Sequence, residues 1–157
     1  VWIKMAQGFE YHGDKQKTEK AWNTDGFFTV GDAGYMDADG YLFLCDRKAD
    51  MIISGGVNIY PAEIEAVLIG HPQVLDVAVF GVPDDDWGEQ VKAVIEPKGA
   101  AYDGLDAEIL DWAKIRLAKF KCPRTIDFVQ TLPRDPNGKL KKRLLRDPYW
   151  QGRERAI

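Results

Sequence analysis

The order of apolar and polar positions divides the chain into two unlike parts. From residue 50 onward, strand and helix periods alternate. "DMIISGG" (50–56) reads as a short β-branched strand ending in two glycines. "PAEIEAVLIG" (61–70) predicts a helix: Pro61 suits its first position, Glu63 and Glu65 its positive N-terminal end, and Ile64, Val67 and Leu68 share one face. Gly70 and Pro72 stop it. "VLDVAVFGV" (74–82) is nearly continuous apolar, the mark of a buried strand, and "EQVKAVIEP" (89–97) alternates as its neighbour. Leu105, Ile109, Trp112, Ala113 and Leu117 place a second amphipathic helix over 105–119. "TIDFVQ" (125–130) predicts a last strand and "KKRLLR" (141–146) a short terminal helix. The order β-α-β-β-α-β-loop-α describes a compact α+β fold with helices on one side of a small sheet.

Residues 1–45 read differently. "VWIKM" (1–5) alternates like a short strand, and "GDKQKTEKAW" (13–22) is a polar surface stretch with a helical turn's worth of good formers. "GFFTVGDAGYMDADGYLFLCDR" (26–47) holds two aromatic-rich runs around Asp39-Gly40, a hairpin signal, so 27–30 and 41–45 are expected as antiparallel partners. This part is too small for a core of its own and calls for a partner sheet. The charged stretch "DRKAD" sets the boundary near Asp46-Arg47, giving 1–46 and 47–157.

Composition removes several function classes. With 45% hydrophobic and 29% charged residues the chain has a soluble globular make-up. No apolar run approaches the roughly 20 residues of a transmembrane helix. No signal peptide is legible, and a start at Val1 suggests a piece of a longer chain. A net charge of −4 argues against a general nucleic-acid binder. Cys45 and Cys122 form no disulfide framework or metal pair and suit a reducing, cytoplasmic setting. His12 and His71 lack ligand-like neighbours, so no metal site is expected.

Candidate chemistry sits in loops. "PRDPNGK" ends in Lys139, but Pro133 and Leu140 stand where a Walker A loop needs Gly and Ser/Thr. What remains is a proline-stiffened loop with Gly138 before a long, mobile cation; on spacing alone, a solvated turn lysine is the favoured reading. Ser54, Gly55 and Gly56 in "ISGGVNIYP" allow close backbone approach to a ligand, or simply a tight strand-to-helix connection. Asp32, after a glycine, can accept hydrogen bonds from a ribose diol or be an ordinary turn aspartate. The run Asp84-Asp85-Asp86 lacks EF-hand spacing and reads as a solvated loop, but Trp87 beside it can stack on something flat. "KFKCPR" (119–124), with Phe120, and "KLKKRLLR" (139–146) are basic; a local cluster in an acidic chain suits one phosphorylated small molecule better than a nucleic acid.

Taken in order, "TVGDAGYMDADGYLFLCDRKADMIISGGVNIYPAEIEAVLIGHPQV", "VAVFGVPDDDWGEQVKAVI" and "LPRDPNGKLKKR" closely resemble the C-terminal end of the acyl-CoA synthetases of the adenylate-forming superfamily, which also holds luciferases and peptide-synthetase adenylation domains. The resemblance covers residues 1–147. It implies that a carboxylate attacks the α-phosphate of ATP to give an acyl-adenylate, and that the sulfur of CoA then displaces AMP. It further implies a small C-terminal lid, from residue 47, that follows the last strands of a large N-terminal domain and rotates between the two steps. By motif, Lys139 would be the adenylation lysine. Asp32 and Arg47 would bind ATP or AMP. Ser54, Gly55 and Gly56 would line the CoA tunnel, with Trp87, Phe120 and Arg124 beside the CoA nucleotide. Ala49 would be the hinge, where relatives often carry Asp or Lys, and Cys122 replaces a basic residue that some relatives carry.

The implied substrates and partners are ATP, CoA, Mg²⁺ held mainly by the large domain, and a hydrophobic, fatty-type carboxylic acid. That large domain of the same chain is an implied partner, and could also bring peripheral membrane association. A lysine acetyltransferase acting on Lys139 is a further implied partner. An aromatic or sterol-type acid is the alternative substrate, and a free-standing nucleotide- or partner-binding module the alternative class.

Overall fold

Two units, Val1–Ala49 and Asp50–Ile157, make up the chain in a computed structural model that describes residues 1–153 and 155. In the first unit, β1 (Ile3–Lys4) pairs with β2 (Phe27–Phe28). Between them α1 (Lys15–Ala21) is capped by Asp14, whose carboxylate accepts the Lys17 N–H at 2.9 Å. Phe9, Trp22 and Phe28 gather beside it, with ring centroids 5.0–5.6 Å apart. This aromatic cluster is a small core that the sequence reading did not expect.

The hairpin at Asp37–Gly40 forms, but its first strand is not 27–30. β3 (Asp32–Met36) pairs with β4 (Leu42–Arg47), Met36 opposite Leu42 and Asp32 opposite Arg47. The reason is geometric: so short a turn joins only the segments that directly flank it. Asp37 Oδ1 accepts the N–H groups of Asp39 and Tyr41, and Gly40 takes φ +86°.

In the second unit, Gly55 and Gly56 take φ +56° and +79° and turn β5 (Ile52–Ser54) back onto β6 (Val57–Ile59). The expected strand-to-helix link is therefore a two-residue hairpin, for which Gly-Gly is a known sequence signal. The long ladder is β7 (Val74–Asp84) against β8 (Gly88–Pro97), from Val74 opposite Pro97 to Asp84 opposite Gly88. β8 also meets β5 at Ser54 opposite Gly88 and runs parallel to β9 (Thr125–Phe128) over Lys92–Ile95.

The near-continuous apolar run of β7 is explained by cover on both faces. On one face Val77 and Val79 pack with Ile64 and Leu68 of α2 (Pro61–Leu68) and Leu105, Ile109 and Ala113 of α3 (Leu105–Lys114). On the other, Ala78, Phe80 and Val82 meet Leu132, Leu140 and Leu145, the last on α4 (Lys142–Arg146). The helices thus lie on both sides of the sheet, contrary to the expectation of one side. α3 also ends five residues early, although Leu117 stays buried. Glu65 guards the free edge of β7: its Oε1 accepts the Val79 N–H and pairs with Lys142, both at 2.7 Å.

Candidate functional site

Lys139 stands on a built hairpin rather than a loose loop. Its root is Leu132, 2% exposed, whose N–H donates to Glu96. Arg134 and Leu140 face each other across it, the Lys141 N–H donates to the Pro133 carbonyl, and the Asp135 N–H donates to the Lys139 carbonyl. At the tip, Asp135 Oδ1 accepts the N–H groups of Asn137 and Lys139, each at 2.9 Å. Gly138, at φ +82°, completes the reversal. Lys139 is exposed, and among the described residues its ammonium forms no ion pair. The backbone is fixed while the charge is left available.

Ser54, Gly55, Gly56, Trp87 and Arg124 meet at a different place. The Gly55 N–H donates to the Trp87 carbonyl at 2.8 Å. A Cβ on Gly55 would lie 2.5 Å from Trp87 Cε3, so only glycine fits beneath the indole. Trp87 is half exposed, and the Arg124 guanidinium lies 5.8 Å from its ring centroid. Phe120, on the turn Lys119–Lys121 before β9, is also half exposed, and its ring makes no aromatic pairing with Trp87.

Sequence reasoning missed Asp84, which organises this corner. Its Oδ1 accepts the N–H groups of Asp86 and Trp87, and its Oδ2 pairs with Arg124 at 3.2 Å. An aspartate opening a tight loop was the available signal. Lys121 is likewise committed, to both carboxylate oxygens of Glu63 at 2.7 Å. Burial pushes the Cys122 thiol above its ordinary range, only partly opposed by Lys114, so position 122 offers a neutral group.

The Lys139 hairpin ties to the sheet through Asp76 and Glu96, which face each other across the ladder; Trp87 follows Asp84, opposite Gly88. Eight strand steps separate Asp76 from Asp84, which is about 25 Å at strand rise. The second unit therefore carries its two candidate surfaces at opposite ends of one ladder.

A third grouping lies in the first unit. Asp32 and Arg47 are cross-strand partners, Oδ1 to Nε 3.9 Å, so a carboxylate and a guanidinium point from one strand pair. Ala49 is the last residue of that unit, and the division falls three residues beyond the expected Asp46-Arg47 boundary.

One charged cluster escaped the sequence reading. Lys92, 6% exposed, pairs with Asp127 at 2.9 Å and donates to Thr125, while the Tyr149 hydroxyl donates to Asp127. Burial would raise the Asp127 pKa, but these two donors hold it below the ordinary carboxylate range. Among the described residues no group of three or more His, Cys, Asp and Glu could hold a metal, the Asp84–Asp86 run included. Nor is any helix among them long and apolar enough to cross a membrane.

Comparison with known proteins gives this geometry a context. Residues 63–139 match the AMP-binding enzyme C-terminal domain, with Lys139 the last residue matched. Over 140 residues, 89% of this chain, the sequence is 43% identical to the long-chain-fatty-acid–CoA ligase FadD13 of Mycobacterium tuberculosis. Over 119 residues, 75% of this chain, it is 50% identical to a feruloyl-CoA synthase of an Amycolatopsis species. It spans only 27% of the first and 24% of the second. ATP-bound MatB from Rhodopseudomonas palustris has the same fold over 85% of this chain and 26% of its own, with a TM-score of 0.77 and 43% identity. The chain corresponds to the portion of the acyl-CoA ligase family that carries the AMP-binding enzyme C-terminal domain.

Proposed function

We propose that this chain is the lid portion of an ATP-dependent acyl-CoA ligase for a hydrophobic, fatty-type acid, working with a larger domain that holds the acid. In the first step a carboxylate oxygen attacks the α-phosphorus of ATP and the bond to pyrophosphate breaks. Negative charge grows on the phosphoryl oxygens, and one ammonium placed there in a dry site stabilises that state more than the ground state. Lys139, with a fixed backbone and an uncommitted charge, is built for that task. Asp32 and Arg47 hold the ribose and phosphate side of the nucleotide. In the second step the CoA sulfur attacks the acyl carbon, the thiol proton is lost and AMP departs. Ser54, Gly55 and Gly56 line the path of the pantetheine arm, which is open at Gly56 and covered by the Trp87 indole at Gly55, and Trp87, Phe120 and Arg124 face the nucleotide of CoA.

The observation that carries this reading is the separation of the two surfaces along β7–β8. With their anchors Asp76 and Asp84 about 25 Å apart on one ladder, the two surfaces suit use in turn, one in each step, as the unit rotates; Ala49, at the boundary of the units, is the proposed pivot. Proline there would fix φ and should slow thioester formation more than adenylation.

Relatives activate different acids, so the acid is tested directly. The intact ligase is incubated with ATP, Mg²⁺, CoA and either dodecanoate or ferulate, and products are read by mass spectrometry. Dodecanoyl-CoA with AMP and pyrophosphate supports the proposal. Feruloyl-CoA alone supports the chemistry and moves the substrate to aromatic acids; ADP, or no thioester with either acid, contradicts it.

A further inference from the structure

We infer that Arg134 is the positioning residue that sets where Lys139 points, an inference that rests on the reading of Lys139 as the adenylation lysine. The peptide unit between Gly138 and Lys139 is held at both its polar groups. Its N–H donates to Asp135 Oδ1 at 2.9 Å, and its carbonyl accepts from Arg134 Nη1 at 2.6 Å. Asp135 belongs to the hairpin and moves with it. Arg134 is different, because its guanidinium also reaches off the hairpin to the sheet. Nε donates to Asp76 Oδ2 at 3.2 Å, and Nη2 pairs with the same oxygen.

Asp76 is itself fixed. Its Oδ1 accepts the Val77 N–H at 2.9 Å, on the long strand β7. One planar cation therefore bridges the rigid ladder and the carbonyl next to Lys139. Lysine could not make these contacts together, since the guanidinium fork presents several donors in fixed directions. Removing the bridge leaves a tip whose Gly138, at φ +82°, can move through conformations closed to other residues. The Lys139 side chain is a long lever on that tip, so a small backbone swing displaces the ammonium further.

Arg134 is 43% and Asp76 25% exposed at the side chain. An ion pair that open to water adds little to stability. The signature of a positioning role is thus a loss of rate in one half-reaction without a loss of fold.

The test uses the intact ligase as wild type, Arg134→Ala, Arg134→Lys, Asp76→Asn and Lys139→Ala. ATP–pyrophosphate exchange is followed with whichever of dodecanoate or ferulate the wild type uses. Thioester formation is followed separately from preformed acyl-adenylate and CoA. Expected for Arg134→Ala is a fall in exchange kcat of about 10- to 100-fold, the scale on which a misplaced catalytic group costs rate. KM for ATP and acid, the thioester step and the melting temperature should change little. Arg134→Lys and Asp76→Asn should lie between this and wild type.

Unchanged exchange in Arg134→Ala, with exchange lost in Lys139→Ala, would overturn the inference while leaving the adenylation lysine in place. Equal loss of both half-reactions with a lowered melting temperature would overturn it too, by making Arg134 a folding residue. Exchange retained in Lys139→Ala would remove the underlying reading, and this one with it.

Discussion

The two ends of the β7–β8 ladder solve opposite problems. At the Lys139 end, hydrogen bonds fix the backbone and the side chain is left exposed and uncommitted. At the Gly55–Trp87 end, the side chain that Gly55 lacks leaves its place to the Trp87 indole. The nearby cations there are already paired, Arg124 to Asp84 and Lys121 to Glu63. One end presents an uncommitted cation on a fixed backbone; the other presents a glycine turn packed beneath a half-exposed indole. The unit keeps the two apart, the Lys139 hairpin tied to Asp76 at one end of the ladder and the glycine turn beside Asp84 at the other.

Leu132→Ala attacks the root of the Lys139 hairpin. Leu132 is 2% exposed against Phe80 and Val82, so its truncation should cost about 2–4 kcal/mol of unfolding free energy in urea. Adenylation should suffer before thioester formation as denaturant rises. If both half-reactions decline together, the two ends are less independent than the comparison holds.

Gly55→Ala attacks the other end. The new Cβ meets Trp87 at 2.5 Å and the residue must hold φ +56°, so either the indole moves or the turn opens. Thioester formation from preformed adenylate should fall about 10- to 100-fold, with exchange close to wild type. Equal exchange and thioester loss in stopped-flow assays would break the separation.

Asp127→Asn probes the ladder between them. Because its donors hold the Asp127 pKa below the ordinary range, its contribution is present at neutral pH and is lost as pH falls through the folded-state value. The variant should be about 1 kcal/mol less stable at pH 7, a modest figure for a partly exposed charged pair. The difference from wild type should close in acid, and a constant difference across that range would contradict the assignment.

Asp84→Asn is the gentlest change. Asparagine can still accept the loop N–H groups, but Arg124 loses its counter-charge. If Arg124 faces the phosphates of CoA, the KM for CoA should fall about 2- to 5-fold, the scale of an exposed ion pair. An unchanged or higher KM would remove Arg124 from that role.

Much of the fold could be read from periodicity, because β7, α2 and α3 follow the cover they receive. The near-continuous run Val77–Val82 announced burial on two faces, yet its second cover was missed: α4 contributes little more than Leu145, and the hairpin only Leu132 and Leu140. β6 was missed because three residues after a Gly-Gly turn carry no period of their own. For the site, Lys139 and the two glycines stood out as residue types in marked loops. The groups that orient them did not: Asp84, Arg134 and Asp76 act through contacts 40 and 58 residues apart in sequence. No local pattern encodes such a contact, and only the register of β7 against β8 and the fold-back of the hairpin bring it about.

The most direct measurement is a crossed assay: Lys139→Ala and Gly55→Ala, each run through both half-reactions in the intact ligase. Lys139→Ala should lose exchange by about 10²- to 10³-fold and keep the thioester step, while Gly55→Ala does the reverse. Loss of the same step in both variants, or of both steps in either, would contradict two surfaces used in turn.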